Sequence, residues 1–338
     1  MRQDGNSRIS ATLTRRKLLV AAAMTTSIIW TRGARTEPKK FVIGSLNTGA
    51  AVSDTTPFGA ALLKGLAQRG YTLGGNLELL RRGADLQFEK LPSLIAEFTA
   101  VHADAVVCFG YATARAMKDD ATVPVVSFTA GDPVGTGLVQ SLAHPGGTIT
   151  GISDVSAEIT PKRLQYLKDM APQLQSLAIL YNATDPGMTL RYRAAEAGAK
   201  VQGIRIQSLG VREPSEFDQA FAAMNTDIPD AILMISDVLT NLNRKRVFEF
   251  ANAHRLPAIY ENNLYVRDGG LMSYGPDLDD SLDRVAYLID RILRGSKPAD
   301  LPFEQPTTFR LAINLKTAKM LNLTIPQLLL QQADEVVE

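Results

Sequence analysis

The chain has 338 residues, 45% hydrophobic and 21% charged, an ordinary globular composition that excludes a disordered or fibrous protein. Lys and Arg total 36 against 35 Asp and Glu, and a net charge of +1 gives no reason to expect nucleic acid or a membrane surface as partner. The single cysteine, Cys108, excludes an intrachain disulfide, and the scattered histidines His102, His144 and His254 have no metal-ligand spacing.

Taken in chain order, "TRRKLLV" (14–20) leads into the apolar run at 18–30, about thirteen residues and too short to span a bilayer. The Arg15–Arg16 pair before that run matches the twin-arginine export pattern. Small residues at Thr31 and Gly33 flank a candidate cleavage point. Residues 1–34 are therefore expected to be a signal segment, cleaved or retained as an anchor. The mature chain, about 300 residues, is expected in the periplasm. No later segment is long and apolar enough to cross a membrane.

From residue 40 short apolar runs alternate with amphipathic stretches. "KFVIGSL", "NLELLRRG", "ADAVVCFG" and "VPVVSF" read as strands, with helices at 57–70, 88–101 and "ATARAMKDD" between them. That order implies a parallel sheet covered on both faces. "GLVQSLAHPGGTITGIS" (137–153), rich in glycine, reads as the first connection between domains. The rhythm then restarts. Helices are expected at 161–172, from "MTLRYRAAEAGAKVQG", after a capping Ser215, and from "RKRVFEFANAHR". They alternate with the strands "SLAILYN", "IRIQSLGV", "DAILMISD" and "LPAIYE". "GGLMSYG" (269–275) reads as a further strand. The segment 279–295 repeats Leu282, Val285, Leu288, Ile289 and Ile292 at helical spacing and stops at Gly295. The fold class is α/β: two doubly wound parallel-sheet lobes joined by several crossings. The first is expected over 40–152 plus about 265–305, the second over 155–262 plus about 307–338.

Ligands of open α/β sheets bind beyond the carboxyl ends of the strands. Those ends supply Ser45, Asn47, Tyr111, Ala112, Thr113, Thr129 and Asp132 from the first lobe. The second supplies Asn182, Asp185, Asp237, Tyr260, Glu261 and Tyr274. Taken singly, each such loop is also what an ordinary helix cap or turn requires. Their common position at the same ends of two sheets singles them out. "GYATARA" (110–116) opens directly into a helix, where free N–H groups and the dipole favour a ligand carboxylate near Thr113. Tyrosines 111, 181, 260, 265 and 274 cluster at strand ends and offer stacking faces. Enzymatic constellations are weak: there is no nucleophile elbow, no Walker loop, and "GDPVGTGLV" lacks the spaced third glycine of a dinucleotide fingerprint.

At "GDPVGTGLVQSLAHPGGTITGIS" the chain resembles the ABC-transporter substrate-binding proteins of tryptophan/tyrosine type. "RLPAIYENNLYVRDGGLMSYGPD", "RILRGSKPADLPFEQPTTFRLAINLKTAKMLNLTIP" and the terminal "ADEVVE" extend the likeness from about residue 40 to the end. The resemblance implies a type-1 periplasmic-binding-protein fold that closes on a small amino-acid-like or carboxylate ligand. It also implies an ABC permease subunit as membrane partner, a monomer, no cofactor and no enzymatic activity. A ligand-sensing module that signals to a membrane receptor without transport is the alternative. Members commonly carry Gly-Thr-Pro-Ala where this chain has "GYATA", so Tyr111 and Ala112 change the expected cleft lining.

Overall fold

The computed structural model describes residues 39–120, 122–129 and 131–338, and the export segment expected at 1–34 lies outside the described residues. The first sheet holds β1 (Phe41–Asn47), β2 (Leu77–Gly83), β3 (Ala105–Phe109), β4 (Val125–Phe128) and β5 (Ile149–Ile152). They are all parallel, in the order β2-β1-β3-β4-β5. The period-2 alternation of each strand feeds two cores. Ile43, Val107 and Val126 face α1 (Pro57–Gln68). Leu46, Val106 and Val125 face α2 (Leu91–Ala100) and α3 (Tyr111–Asp120).

The second sheet repeats that order with β6 (Ser176–Asn182), β7 (Arg205–Val211), β8 (Ala231–Met234), β9 (Ala258–Tyr260) and β10 (Met272–Pro276). It then adds β11 (Phe309–Asn314), antiparallel to β10, and β12 (Glu335–Val337), parallel to β11, so this sheet is mixed where a parallel one was expected. Its helices are α4 (Ser156–Met170), α5 (Pro186–Val201), α6 (Glu216–Thr226), α7 (Val238–Leu242), α8 (Arg244–His254) and α9 (Asn263–Arg267). Leu177 and Ile179 enter one core and Ala178 and Leu180 the other.

Each fifth strand passes its following helix to the other sheet. β5 leads into α4 of the second lobe, and β10 leads into α10 (Leu278–Leu293), which packs on the first sheet. Leu282, Val285, Leu288 and Ile289 of α10 lie buried beside Leu62 and Leu66 of α1. Burial of each such side chain contributes roughly 1.5–3 kcal/mol. Arg69 adds a two-pronged bond to Asp283 at 2.6 and 2.9 Å. The chain returns near Glu304, whose N–H bonds Gly151 O at 2.8 Å, and ends in β11, α11 (Leu315–Met320), α12 (Gln327–Gln332) and β12.

Three expectations are corrected. The glycine-rich stretch 137–153 is not all connection, because its last four residues but one, Ile149–Ile152, pair with β4 as the fifth strand. Residues 265–276, expected with the first lobe, pack in the second, because β10 pairs with β9 and β11; the return crossing starts at Asp277. Ser215 does not cap α6: its φ and ψ are helical, and its hydroxyl turns back to Glu213.

Candidate functional site

A cleft of about 620 Å³ lies between the carboxyl ends of the two sheets, within the usual size range of small-molecule sites. Eight of the expected residues line it: Asn47, Tyr111, Ala112, Thr129, Asn182, Asp185, Asp237 and Glu261. The other five do not. Ser45 is buried within β1, two residues short of the strand end. Thr113 is fully buried and donates its hydroxyl to Phe109 O at 3.0 Å and Gly110 O at 3.1 Å, so it serves the helix start. Asp132 turns onto its own loop and accepts from the N–H groups of Val134 and Gly135 at 3.2 and 2.8 Å. Tyr260 is core, edge-on to Phe248 and stacked on Tyr265, and burial pushes its phenol well above the ordinary range. Tyr274 packs against Tyr166 and Phe309. Of the remaining tyrosines, Tyr265 joins the lining, whereas Tyr181 stacks on Tyr192 at 4.4 Å.

The first-lobe wall is aromatic. Phe109 and Phe128 end β3 and β4, and Phe58 enters from the first turn of α1. Their centroids lie 5.9–6.3 Å apart, each pair inclined edge to face. That geometry leaves ring faces and edges for a further aromatic group.

The second-lobe wall is ionic. Glu261, directly after β9, accepts from Arg163 Nη1 at 3.2 Å, Arg191 Nη1 at 3.0 Å, Ser236 N at 2.9 Å and the Ser156 hydroxyl. Arg191 also bonds Asp154, and Arg163 reaches Ser156 O at 3.0 Å and Tyr274 O at 2.8 Å. These charges are nearly dehydrated, with side-chain exposures of 1%, 6% and 8% for Arg163, Arg191 and Glu261. Burial alone would raise the Glu261 carboxyl, but Arg191 and Arg163 hold it below its ordinary value. Burial pushes the Arg163 guanidinium down, whereas Arg191, with Asp154 and Glu261 both beside it, stays above its ordinary value despite burial.

The network fastens the first crossing. Val155, between Asp154 and Ser156, has φ 44° and ψ 32°, a left-handed conformation that a β-branched residue adopts only under constraint. The bonds on either side supply it: Asp154 to Arg191, and Ser156 to Glu261.

Two carboxylates lie beside this network without a hydrogen bond to it, although their charges act on Arg191. Asp185 caps α5, accepting from Gly187 N at 2.7 Å and Met188 N at 3.3 Å. Asp237 caps α7, accepting from Thr240 N at 2.8 Å and from Asn182 Nδ2 at 2.5 Å. Burial pushes the Asp185 carboxyl above its ordinary range, and the Asp237 charge pushes it the same way.

The lobes meet across the cleft at two glycines. A Cβ on Gly49 would stand 2.5 Å from Val238 Cγ1, and one on Gly187 would stand 3.3 Å from Tyr111 Cβ. At Gly49 only a residue without a side chain permits so close an approach, and at Gly187 a side chain would be tight.

Over residues 58–337 the sequence matches the family model described as ABC transporter substrate binding protein. The chain belongs to that family. Among curated relatives, a tyrosine-binding protein of Clostridioides difficile (strain R20291) is 24% identical over 262 residues, 77% of this chain and 75% of the relative. Among solved structures, a conserved domain protein from Vibrio cholerae is 24% identical over 88% of this chain and all of its own, with a TM-score of 0.82. An ABC domain from Streptococcus pneumonia in complex with L-Trp has a TM-score of 0.79 at 24% identity, over 88% of this chain and all of its own. This substrate-binding protein therefore has the fold of type-1 periplasmic binding proteins.

Sequence reasoning missed Arg163, Arg191 and Asp154, and it missed the three phenylalanines. The arginines carried a signal. Arg191 falls on the apolar stripe of α5 with Met188, Tyr192 and Ala195, and Arg163 on that of α4 with Leu164, Leu167 and Met170. A charge on the buried face of a helix needs a buried partner.

Proposed function

We propose that this protein is the extracytoplasmic solute-binding component of an ABC importer, and that it takes an aromatic amino acid into the cleft. The observation that carries the reading is the pairing of the Phe58–Phe109–Phe128 wall with an ionic wall facing it. The ligand ring packs on the phenylalanines, each aromatic contact contributing about 0.5–1.5 kcal/mol beyond its buried area. The ammonium meets the carboxylates of the second lobe. The carboxylate faces the backbone amides that open α3 at Tyr111 and Ala112. The tyrosine-binding relative and the L-Trp complex support this ligand class. Closure at Gly49 and Gly187 presents the filled, closed protein to a permease. The protein acts as an exported monomer, delivered by the segment at 1–34.

A thermal-shift screen against the twenty amino acids, sugars and purines tests the reading. Ligand at a hundred times its Kd adds about 2.7 kcal/mol of stability by mass action. Tyrosine, tryptophan and phenylalanine are expected to raise the melting temperature most; a screen in which only sugars or purines do so overturns the assignment.

A further inference from the structure

Directly after β2 the chain turns through two successive left-handed residues, Asp85 at φ 52° and Leu86 at φ 63°. Aspartate tolerates that region, but a bulky side chain such as leucine is rarely held there. Backbone bonds hold it here. Ala84 N donates to Asn47 O at 3.0 Å, Asp85 N to Gly49 O at 3.1 Å and Leu86 N to Thr48 O at 2.8 Å. The turn is thereby stitched to the loop that carries Gly49, and the two form one lip of the first lobe. The Leu86 side chain joins neither first-lobe core. It packs instead against the second-lobe cluster that holds Val211, Leu239 and Tyr265, the one first-lobe apolar side chain to do so among the described residues. It also lines the cleft.

The lips have no polar tie to each other. Among the described residues, 47–51 and 84–88 on one side and 237–244 on the other form hydrogen bonds and ion pairs only within their own lobes. Contact across the mouth rests on packing, of Gly49 on Val238 and of Leu86 on its cluster. Backbone strain of this kind persists where the surrounding structure over-determines it, and it gathers at clamps and switches. Here it aims an apolar side chain out of its own lobe and into the other.

We infer that Leu86 is a positioning residue for ligand capture: an apolar latch that populates the closed cleft as a minor state before any ligand arrives. The ligand then selects that state, and its apparent affinity scales with the closed fraction. Removing the latch lowers the closed fraction and the affinity by the same factor. The latch works whatever ligand fills the cleft, so it does not rest on the aromatic reading above.

The test traps the closed form covalently, in the full chain and without ligand. A Cβ on Gly49 would stand 3.8 Å from Val238 Cβ, the usual Cβ separation across a disulfide. Gly49→Cys with Val238→Cys can therefore bridge when the lips meet and not when they part. Oxidised glutathione is the oxidant, and loss of free thiols gives the rate. Cys108 is fully buried and does not compete while the chain is folded. Two substitutions are then added separately. Leu86→Ala shortens the latch. Leu86→Asn removes its apolar end yet suits the left-handed turn, so the lip keeps its shape. Each is expected to slow bridging about tenfold, the equivalent of roughly 1.4 kcal/mol, with Cys108 still unreactive. Leu86→Met, which keeps the apolar reach, is expected to stay within about twofold of the parent. Slowing of less than about threefold in folded Leu86→Asn overturns the inference. A parent that forms no bridge also overturns it, because the closed form is then not populated without ligand. In the chain without added cysteines, L-tyrosine and L-tryptophan give a second readout. Leu86→Asn should weaken whichever binds by the factor seen in trapping, and unchanged affinity overturns the inference. If neither binds, the aromatic reading fails and the trapping rates still decide the latch.

Discussion

Replacing Glu261 by Gln isolates the buried ionic network. The carboxylate accepts four hydrogen bonds, two of them from guanidinium groups that are almost wholly out of water. Glutamine keeps nearly the same shape but removes the negative charge, and its NH2 end opposes an arginine donor. Among the described residues the two buried cations are then left with Asp154 as their one remaining salt-bridge partner, with Asp185 and Asp237 acting on Arg191 from farther off. Removing one partner of a buried pair costs roughly 3–5 kcal/mol. Summing a separate hydrogen-bond energy for each donor would overshoot, because bonds within one network are not additive. Against a typical total of about 5–15 kcal/mol the loss is large. At roughly 2–4 °C per kcal/mol for a chain of this size it lowers the melting temperature by about 6–20 °C. The pH dependence has a definite sign. Glu261 has a folded-state pKa below its ordinary 4.5, so its contribution is present above that pH and is lost as pH falls through the folded value. Melting followed by circular dichroism at pH 7 and pH 4 reads both effects. A loss of less than about 1 kcal/mol at pH 7, or a difference from wild type that grows on acidification, would refute the reasoning.

Asp185 behaves in the opposite way. Burial raises its pKa above the ordinary 3.8, so the ionised form costs stability that is recovered as pH falls. Asp185→Asn, which retains the cap, should be more stable than wild type in urea unfolding at pH 7, with the difference shrinking toward pH 4. Thr113→Ala removes a buried hydroxyl that serves two carbonyls, and should cost about 1 kcal/mol of stability while leaving ligand affinity unchanged in calorimetry. Gly49→Val places a side chain against Val238 at the closure seam. Small-angle scattering should show the wild type contracting on ligand addition and this variant failing to contract, with affinity down tenfold or more.

The α/β class was legible because parallel strands are covered on both faces and so read as plain apolar runs, as in "AVVCF" and "AILM". Helix α10 was legible because its five spaced apolar residues are the face it buries. β5 was not: four residues, one of them glycine, carry too little pattern to stand out from a turn-rich stretch. The lobe to which β10 belongs depends on its pairing partners, which lie some forty residues on in β11 and ten back in β9, and no local pattern encodes that choice. Polar strand ends located the cleft, but only the last residue or two of a strand reach it. Asn47, the last residue of β1, lines the cleft, whereas Ser45 points to the same face two residues earlier and is buried inside the sheet. The phenylalanines were passed over because a strand-terminal Phe such as Phe109 or Phe128 has the same sequence signature whether it meets another core residue or a ligand. Arg163 and Arg191 were passed over, although their stripe positions already marked them as buried.

The central claim is that the cleft binds an aromatic amino acid. Isothermal titration of the full chain with L-tyrosine and L-tryptophan, with D-glucose as the competing class, addresses it directly. The account predicts saturable one-to-one binding of at least one of the two amino acids and no heat with the sugar. Saturable binding of glucose, with no heat from either amino acid at millimolar concentration, would contradict it.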